Sequence, residues 1–280
     1  MISLDILNEL IIYEILMAVL LFVIGAIFAV RWRQRRSAAI GYLSLTYFVY
    51  VFGALFAGYG HIIYTSYWSL ILMDSLFPPA LTYALTGYFI PFGFVAILFS
   101  TFNNLATWLV YHVWGYTMLL IYQWSASLIA AAIGHLFIFL FTLSAFKEVK
   151  AKYVAPYGVF IGAVIFVLIA NTNITINWFL AFGVGLVTQG LLIYYSIKAM
   201  RLTDSKLYKR GFLLVSLTAV LFILFFGCYL IDSILGGWTI FLFIGWTLVL
   251  ISAIPTYVGY VLPDWFRRRY EKPKPKPKSK

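Results

Sequence analysis

The chain has 280 residues, of which 64% are hydrophobic and only 10% charged, with a net charge of +11; its mean hydropathy is +0.96. A soluble domain carries about a quarter charged residues, which excludes an ordinary water-soluble enzyme or nucleic-acid-binding domain. The bilayer is the solvent for most of this chain, and apolar runs of about 20 residues without alternation predict spanning helices rather than a barrel.

The distribution of charge sets an orientation. All 20 Lys and Arg fall into four clusters: Arg31 to Arg36, Lys147 to Lys152, Lys198 to Arg210, and Arg267 to Lys280. Short basic loops stay on the cytoplasmic side. The expected arrangement is an all-α polytopic bundle in the plasma membrane, N-terminus outside and C-terminus cytoplasmic. The clusters suit anionic lipid headgroups rather than nucleic acid. A single cysteine, Cys228, excludes an internal disulfide.

Taken in order, Met1 to Leu10 holds Asp5 and Glu9 and lacks the basic start of a signal peptide, so the first apolar run, Ile11 to Val30, reads as a retained anchor. Glu14 lies in its first turns, a candidate proton-relay group or an interfacial hydrogen-bond partner. The second span runs from Ala38 to Gly60. His61 follows at its outer end, as an interfacial anchor or a ligand contact. Between His61 and Lys147 an odd number of crossings must lie: one gives seven spans, three give nine. A single crossing leaves GYFIPFGFVAILFSTF in water, which is too apolar for comfort. Nine spans are therefore favoured over seven, with crossings at Pro79–Phe102, Leu105–Tyr122 and Ser125–Phe146 and a tight outer turn at Gln123–Ser125. Pro78, Pro79 and Pro91 start or kink helices there.

Beyond Lys147 the spans are Val154–Ala170, Trp178–Ile197, Gly211–Leu235 and Trp238–Val261. The loop NTNITIN between the first two is expected outside, and Asn173–Ile174–Thr175 is a glycosylation sequon. Asp232 falls near the outer end of its span, and Pro255 is an expected kink. Gly183, Gly185 and Gly190 suggest close helix approach. Residues 1–266 form the bundle; 267–280, ending in EKPKPKPKSK, form a disordered Lys–Pro tail.

No Walker-type glycine loop, Cys-x-x-Cys, His-Glu-x-x-His or Gly-x-Ser-x-Gly is present, and no Lys lies inside a span. Catalysis of the chain's own is therefore not expected. One constellation hints at chemistry. With a turn at Gln123, His112 and His135 each lie about 11 residues, or roughly 17 Å, from it. Two imidazoles at one depth are what a bis-histidine b-type haem needs. The alternative is that each histidine hydrogen-bonds within the bundle.

The leading expectation is a non-catalytic membrane subunit of a larger assembly, of the electron-transfer kind, with haem iron on His112 and His135. A sensory, receptor-like bundle signalling through a separate partner is the first alternative; a carrier of a neutral or lipidic solute is the second. The closing LPDWFRRR, after a Trp-rich last helix, resembles the end of seven-span sensor modules. In those an output domain follows the last arginines, and here the Lys–Pro tail follows instead.

Overall fold

A computed structural model describes residues 4–73, 116–171, 173–235 and 239–270, with side chains in these ranges except at 4–11, 59–73, 116–124 and 174. The described residues form eight helices: α1 Leu4–Arg35, α2 Ala38–Met73, α3 Tyr116–Phe146, α4 Ala151–Ala170, α5 Ile174–Leu202, α6 Lys206–Ile234, α7 Ile240–Val261 and α8 Asp264–Tyr270. Seven of them, all but α8, contain a stretch long and apolar enough to cross a membrane. The chain is a multi-pass helical membrane protein.

Breaks between helices fall where the backbone chemistry permits them. Arg36 and Leu262 adopt left-handed conformations, with φ of 51° and 48°, at the α1–α2 and α7–α8 corners. Asn173 caps α5, its side chain accepting from the Thr175 and Ile176 amides. Thr239 caps α7 through the Phe241 amide. These caps satisfy donors that have no partner inside the helix.

Six helices close into a ring in the order α1, α2, α3, α5, α6, α7, with α7 returning to α1; α4 lies outside, against α3 and α5. Each ring helix buries one stripe. On α1 this is Met17, Ala18, Leu21, Ile24 and Phe28, at the spacing of one helical face. The outward faces are just as apolar: Val159, Phe166, Ile169, Ile240 and Ile254 are each about 70% exposed. A surface of this kind is stable only against lipid. The most buried spans are α3 and α6, and the least buried is α4.

The described residues of the four basic clusters gather at one end of the bundle. Phe146, before Lys147, stacks on Tyr195 and packs against Phe212. Phe28 and Phe141 both pack against Tyr260, joining the ends of α1, α3 and α7. Lys147 sits over the Tyr153 and Tyr195 rings, 4.5 and 5.7 Å from their centroids. A hydrogen bond to Tyr195 holds its ammonium above the usual lysine range. The α8 helix turns back so that Phe266 packs with Leu207 and Val258, while Trp265 is exposed.

The structure corrects the expected layout at several points. The turn at Gln123–Ser125 is absent, because α3 runs unbroken from Tyr116 to Phe146. The stretch YTMLLIYQWSAS contains neither glycine nor proline, so nothing interrupts its backbone ladder. Residues 116–122 of the expected crossing Leu105–Tyr122 are therefore continuous with Ser125–Phe146; residues 74–115, with the rest of that crossing and the crossing expected at Pro79–Phe102, lie outside the described residues. His61 is inside α2, which continues to Met73, rather than at a helix end. Arg267, Arg268 and Arg269 belong to α8 rather than to an unstructured tail. Gly183 and Gly190 have open space where a Cβ would be, so of the three glycines only Gly185 serves close approach. The closest approaches are elsewhere. A Cβ on Gly134 would overlap the Tyr50 ring, and one on Gly259 would lie 3.1 Å from the Gly211 carbonyl.

Gly134→Ala therefore overpacks the α2–α3 contact and should lower stability by about 1–3 kcal/mol. Gly158→Ala, facing open space, should leave it unchanged or slightly raised. Thermal unfolding of both variants in one detergent checks the contrast.

Candidate functional site: an aromatic cavity inside the helix ring

At the end of the bundle away from the basic clusters, α1 and α7 meet through polar groups. The Glu14 carboxylate is completely buried, and the Trp246 indole donates to it at 3.3 Å. One residue earlier, Tyr13 shares a 3.0 Å hydrogen bond with Thr247. Thr247 already donates to the Phe243 carbonyl, so Tyr13 is the donor. Glu14 is thus bonded to a neighbour and enclosed rather than solvated.

Other polar groups tie the same end together. Asp232, buried near the end of α6, accepts from both the amide and the hydroxyl of Thr239 at 2.6 Å, holding the start of α7 against α6. Ser233 donates to Thr175 on α5 at 3.1 Å. Asn177 is fully buried, donating to the Asn171 carbonyl and accepting from the Asn171 side chain at 2.9 Å. Asn173 is exposed, with its side-chain oxygen committed to capping α5.

Beneath this layer lies a cavity of about 50 Å³, to which all six ring helices contribute. Leu21 comes from α1, Tyr50 and Ala54 from α2, and Ser127 and Ala131 from α3. Trp178 comes from α5, Phe225 and Tyr229 from α6, and Trp246 from α7. One water needs roughly 10–15 Å³ on this scale, so the space admits a group of several heavy atoms. The aromatic walls brace one another. Trp178 lies 4.6 Å from Tyr229 between ring centroids, and Phe225 lies 5.2 Å from Trp246. Ser127 donates to the Gly53 carbonyl at 2.8 Å. The Tyr229 hydroxyl is different. It is buried without an aligned hydrogen-bond partner, although Glu14, Asp232 and Trp246 are all close enough to interact with it.

The histidines do not come together among the described residues. His112 lies outside them, and so does the side chain of His61. His135 is completely buried on α3. Its Nδ1 shares a 3.4 Å hydrogen bond with Tyr50, and its Nε2 has no partner. The Phe226 ring lies 5.1 Å from it, and a Cβ on Gly185 would stand 3.3 Å from Nε2. An iron-bound imidazole needs a porphyrin plane about 2 Å from one nitrogen. With Tyr50 at one nitrogen and the α5 backbone at the other, that plane does not fit around His135 as it is packed here. Among the described residues, no group of three or more His, Cys, Asp and Glu side chains is placed to hold a metal ion.

Sequence reasoning named Glu14 and His135 but missed Trp246, Tyr229 and Tyr50. A signal for Trp246 existed. Trp246 lies two turns inside its span, away from the interface where tryptophan usually sits, and a buried indole N–H needs an acceptor. No family model, curated protein or solved structure matches the chain.

Proposed function

We propose that this protein is a receptor-like membrane module that binds a small ligand inside its helix ring and signals through a separate partner at its basic end. The observation carrying this reading is the central cavity, whose walls come from every helix of the ring. A ligand in that position touches all six helices at once, so any difference in fit between two arrangements of the bundle shifts their balance. The walls are apolar and aromatic with a few polar groups, which is the usual make-up of a small-molecule site.

The basic end supplies the output side of the proposal. Its clusters on the α1–α2, α3–α4 and α5–α6 connections and on α8 form one cationic face. Such a face suits anionic headgroups and the acidic surface of a partner protein. The positive-inside rule makes it cytoplasmic. In a Cys228→Ala background, a cysteine at Lys150 should react with a membrane-impermeant maleimide only when the cytoplasmic side is opened. A cysteine at Asn171 should react from outside; the reverse pattern would overturn the orientation.

Filling the cavity tests the binding role. A panel of small alkylamines and alcohols should change the tryptophan emission of the wild type, because Trp178 and Trp246 line the space. Ala131→Leu, at a half-buried wall position, should keep the fold and abolish those changes. No change with the wild type, or changes that persist in the variant, would remove the receptor reading.

One observation favours a second reading, the haem-bearing subunit of an electron-transfer assembly: the unpartnered, fully buried Nε2 of His135. The crowding at both ring nitrogens weighs against it. Protein purified from haem-supplemented cells should show no Soret band. A Soret band lost in His135→Ala would restore the electron-transfer reading in place of the receptor.

A further inference from the structure

A second site lies deeper in the bundle and does not depend on the receptor reading. Toward the basic end, two smaller cavities of about 10 Å³ each follow the ring cavity. The three spaces share walls. Tyr50 and Phe222 line both the ring cavity and the second cavity. Tyr260 lines both the second and the third, and the third also touches Arg31 and Arg35 at the end of α1. The Tyr50 ring has room between the first two because Gly134 carries no Cβ to meet it.

The second cavity is more polar than the first. Thr46, Tyr47, Tyr50, Gln189, Thr218 and Tyr260 line it, from α2, α5, α6 and α7. Gln189 is 1% exposed, and its Nε2 donates to no group of the protein. A buried amide N–H without an acceptor is costly. Acceptors are present across the space. Thr46 gives its proton to the Tyr42 carbonyl at 3.0 Å, and Thr218 gives its own to the Leu214 carbonyl at 3.1 Å. Each hydroxyl oxygen keeps lone-pair capacity. One water occupies roughly 10–15 Å³ on this scale and makes two to four hydrogen bonds to buried groups otherwise unmet.

We propose that the second cavity binds a single exchangeable water, which accepts from Gln189 and donates to Thr46 and Thr218. This water is the middle station of a hydrated path from the arginines of the basic end to the ring cavity. The path's inner end reaches a titratable group, because Tyr50 shares a 3.4 Å hydrogen bond with His135 Nδ1. Further unmet hydroxyls, those of Ser196 and Ser216, lie on the same side of the ring cavity, on α5 and α6. The space excludes larger solutes and hydrated ions by size.

Hydroxyl radicals made by an X-ray pulse label buried side chains that stand beside bound water. Tyr47 and Tyr50 should therefore be labelled several-fold faster than Tyr157, which is as buried as Tyr50 but lines none of the three cavities. The wild-type protein in detergent suffices for this comparison. Gln189→Leu removes the donor and Thr46→Val removes an acceptor at similar shape; each should bring Tyr47 and Tyr50 down to the Tyr157 level. Equal labelling of the three tyrosines in the wild type would overturn the water site. Undiminished labelling in both variants would overturn its assignment to Gln189 and Thr46. Mixing with ¹⁸O-water before the pulse reads exchange with bulk, and Ile40→Phe, which fills the third cavity, should slow it several-fold. Unchanged exchange in that variant would overturn the path. None of these readouts involves a ring-cavity ligand, so the receptor reading stands or falls separately.

Discussion

A buried hydrogen bond joins the first and last spanning helices where the ring closes. Glu14 on α1 and Trp246 on α7 are 232 residues apart in sequence and 3.3 Å apart across the first and last spanning helices. Removing a carboxylate from water in this setting costs several kcal/mol unless its lone pairs are met. Its pairing is therefore demanding in position: α1 and α7 must lie at one relative height for the indole to reach the carboxylate. Tyr13 and Thr247 repeat the same registration one residue along. Trp246 then carries the constraint inward, because Phe225 and Tyr229 pack on its ring at 5.2 and 5.9 Å. The cavity walls are thus set by the polar layer above them.

The rest of the interior handles its polarity locally. Thr46, Thr142, Thr188, Thr218, Thr247 and Thr256 each donate to the carbonyl four residues earlier on their own helix. Such bonds hide a hydroxyl without requiring a partner helix. Thr256 also sits next to Pro255, whose ring removes one rung of the α7 ladder. Polar atoms left without partners are few among the described residues, and Gln189 Nε2, His135 Nε2 and the Tyr229 hydroxyl are three of them. All three lie on helices of the ring, and Tyr229 faces the cavity directly. The hydroxyls of Ser196 and Ser216 complete that short list among the described residues.

Much of the fold was legible because lipid imposes a simple rule on length and hydropathy. The helices ending at Arg35, Phe146 and Leu202 each end within or just before a basic cluster, and the polar NTNITIN segment holds the break between α4 and α5. What misled was the stretch around Gln123. Gln, Trp and Ser in an apolar run resemble an interfacial turn in composition, yet each is compatible with a helix, and no Gly or Pro forces a break. A helix of 31 residues is about 46 Å long, so α3 outruns the apolar slab and needs no turn to bring polar residues to its surface. Lys206 to Arg210 read as a loop for the same reason and form the first turns of α6. The site was less legible than the fold. Its wall residues are ordinary core residues spread over six helices, and nothing in their local spacing marks them. Only Glu14, an unexplained carboxylate in a span, pointed toward it, and its partner lay at the other end of the chain.

The coupling between Glu14 and Trp246 is therefore the quantity to measure. Thermal or denaturant unfolding of Glu14→Gln, Trp246→Phe and the double variant, in one detergent, gives the interaction free energy from a double-mutant cycle. Two directly bonded buried groups should be non-additive by about 1 kcal/mol or more. Additive effects, within about 0.3–0.5 kcal/mol, would show that the two residues act independently. That result would contradict the closure of the ring by this contact, and with it the account of how the cavity is held in shape.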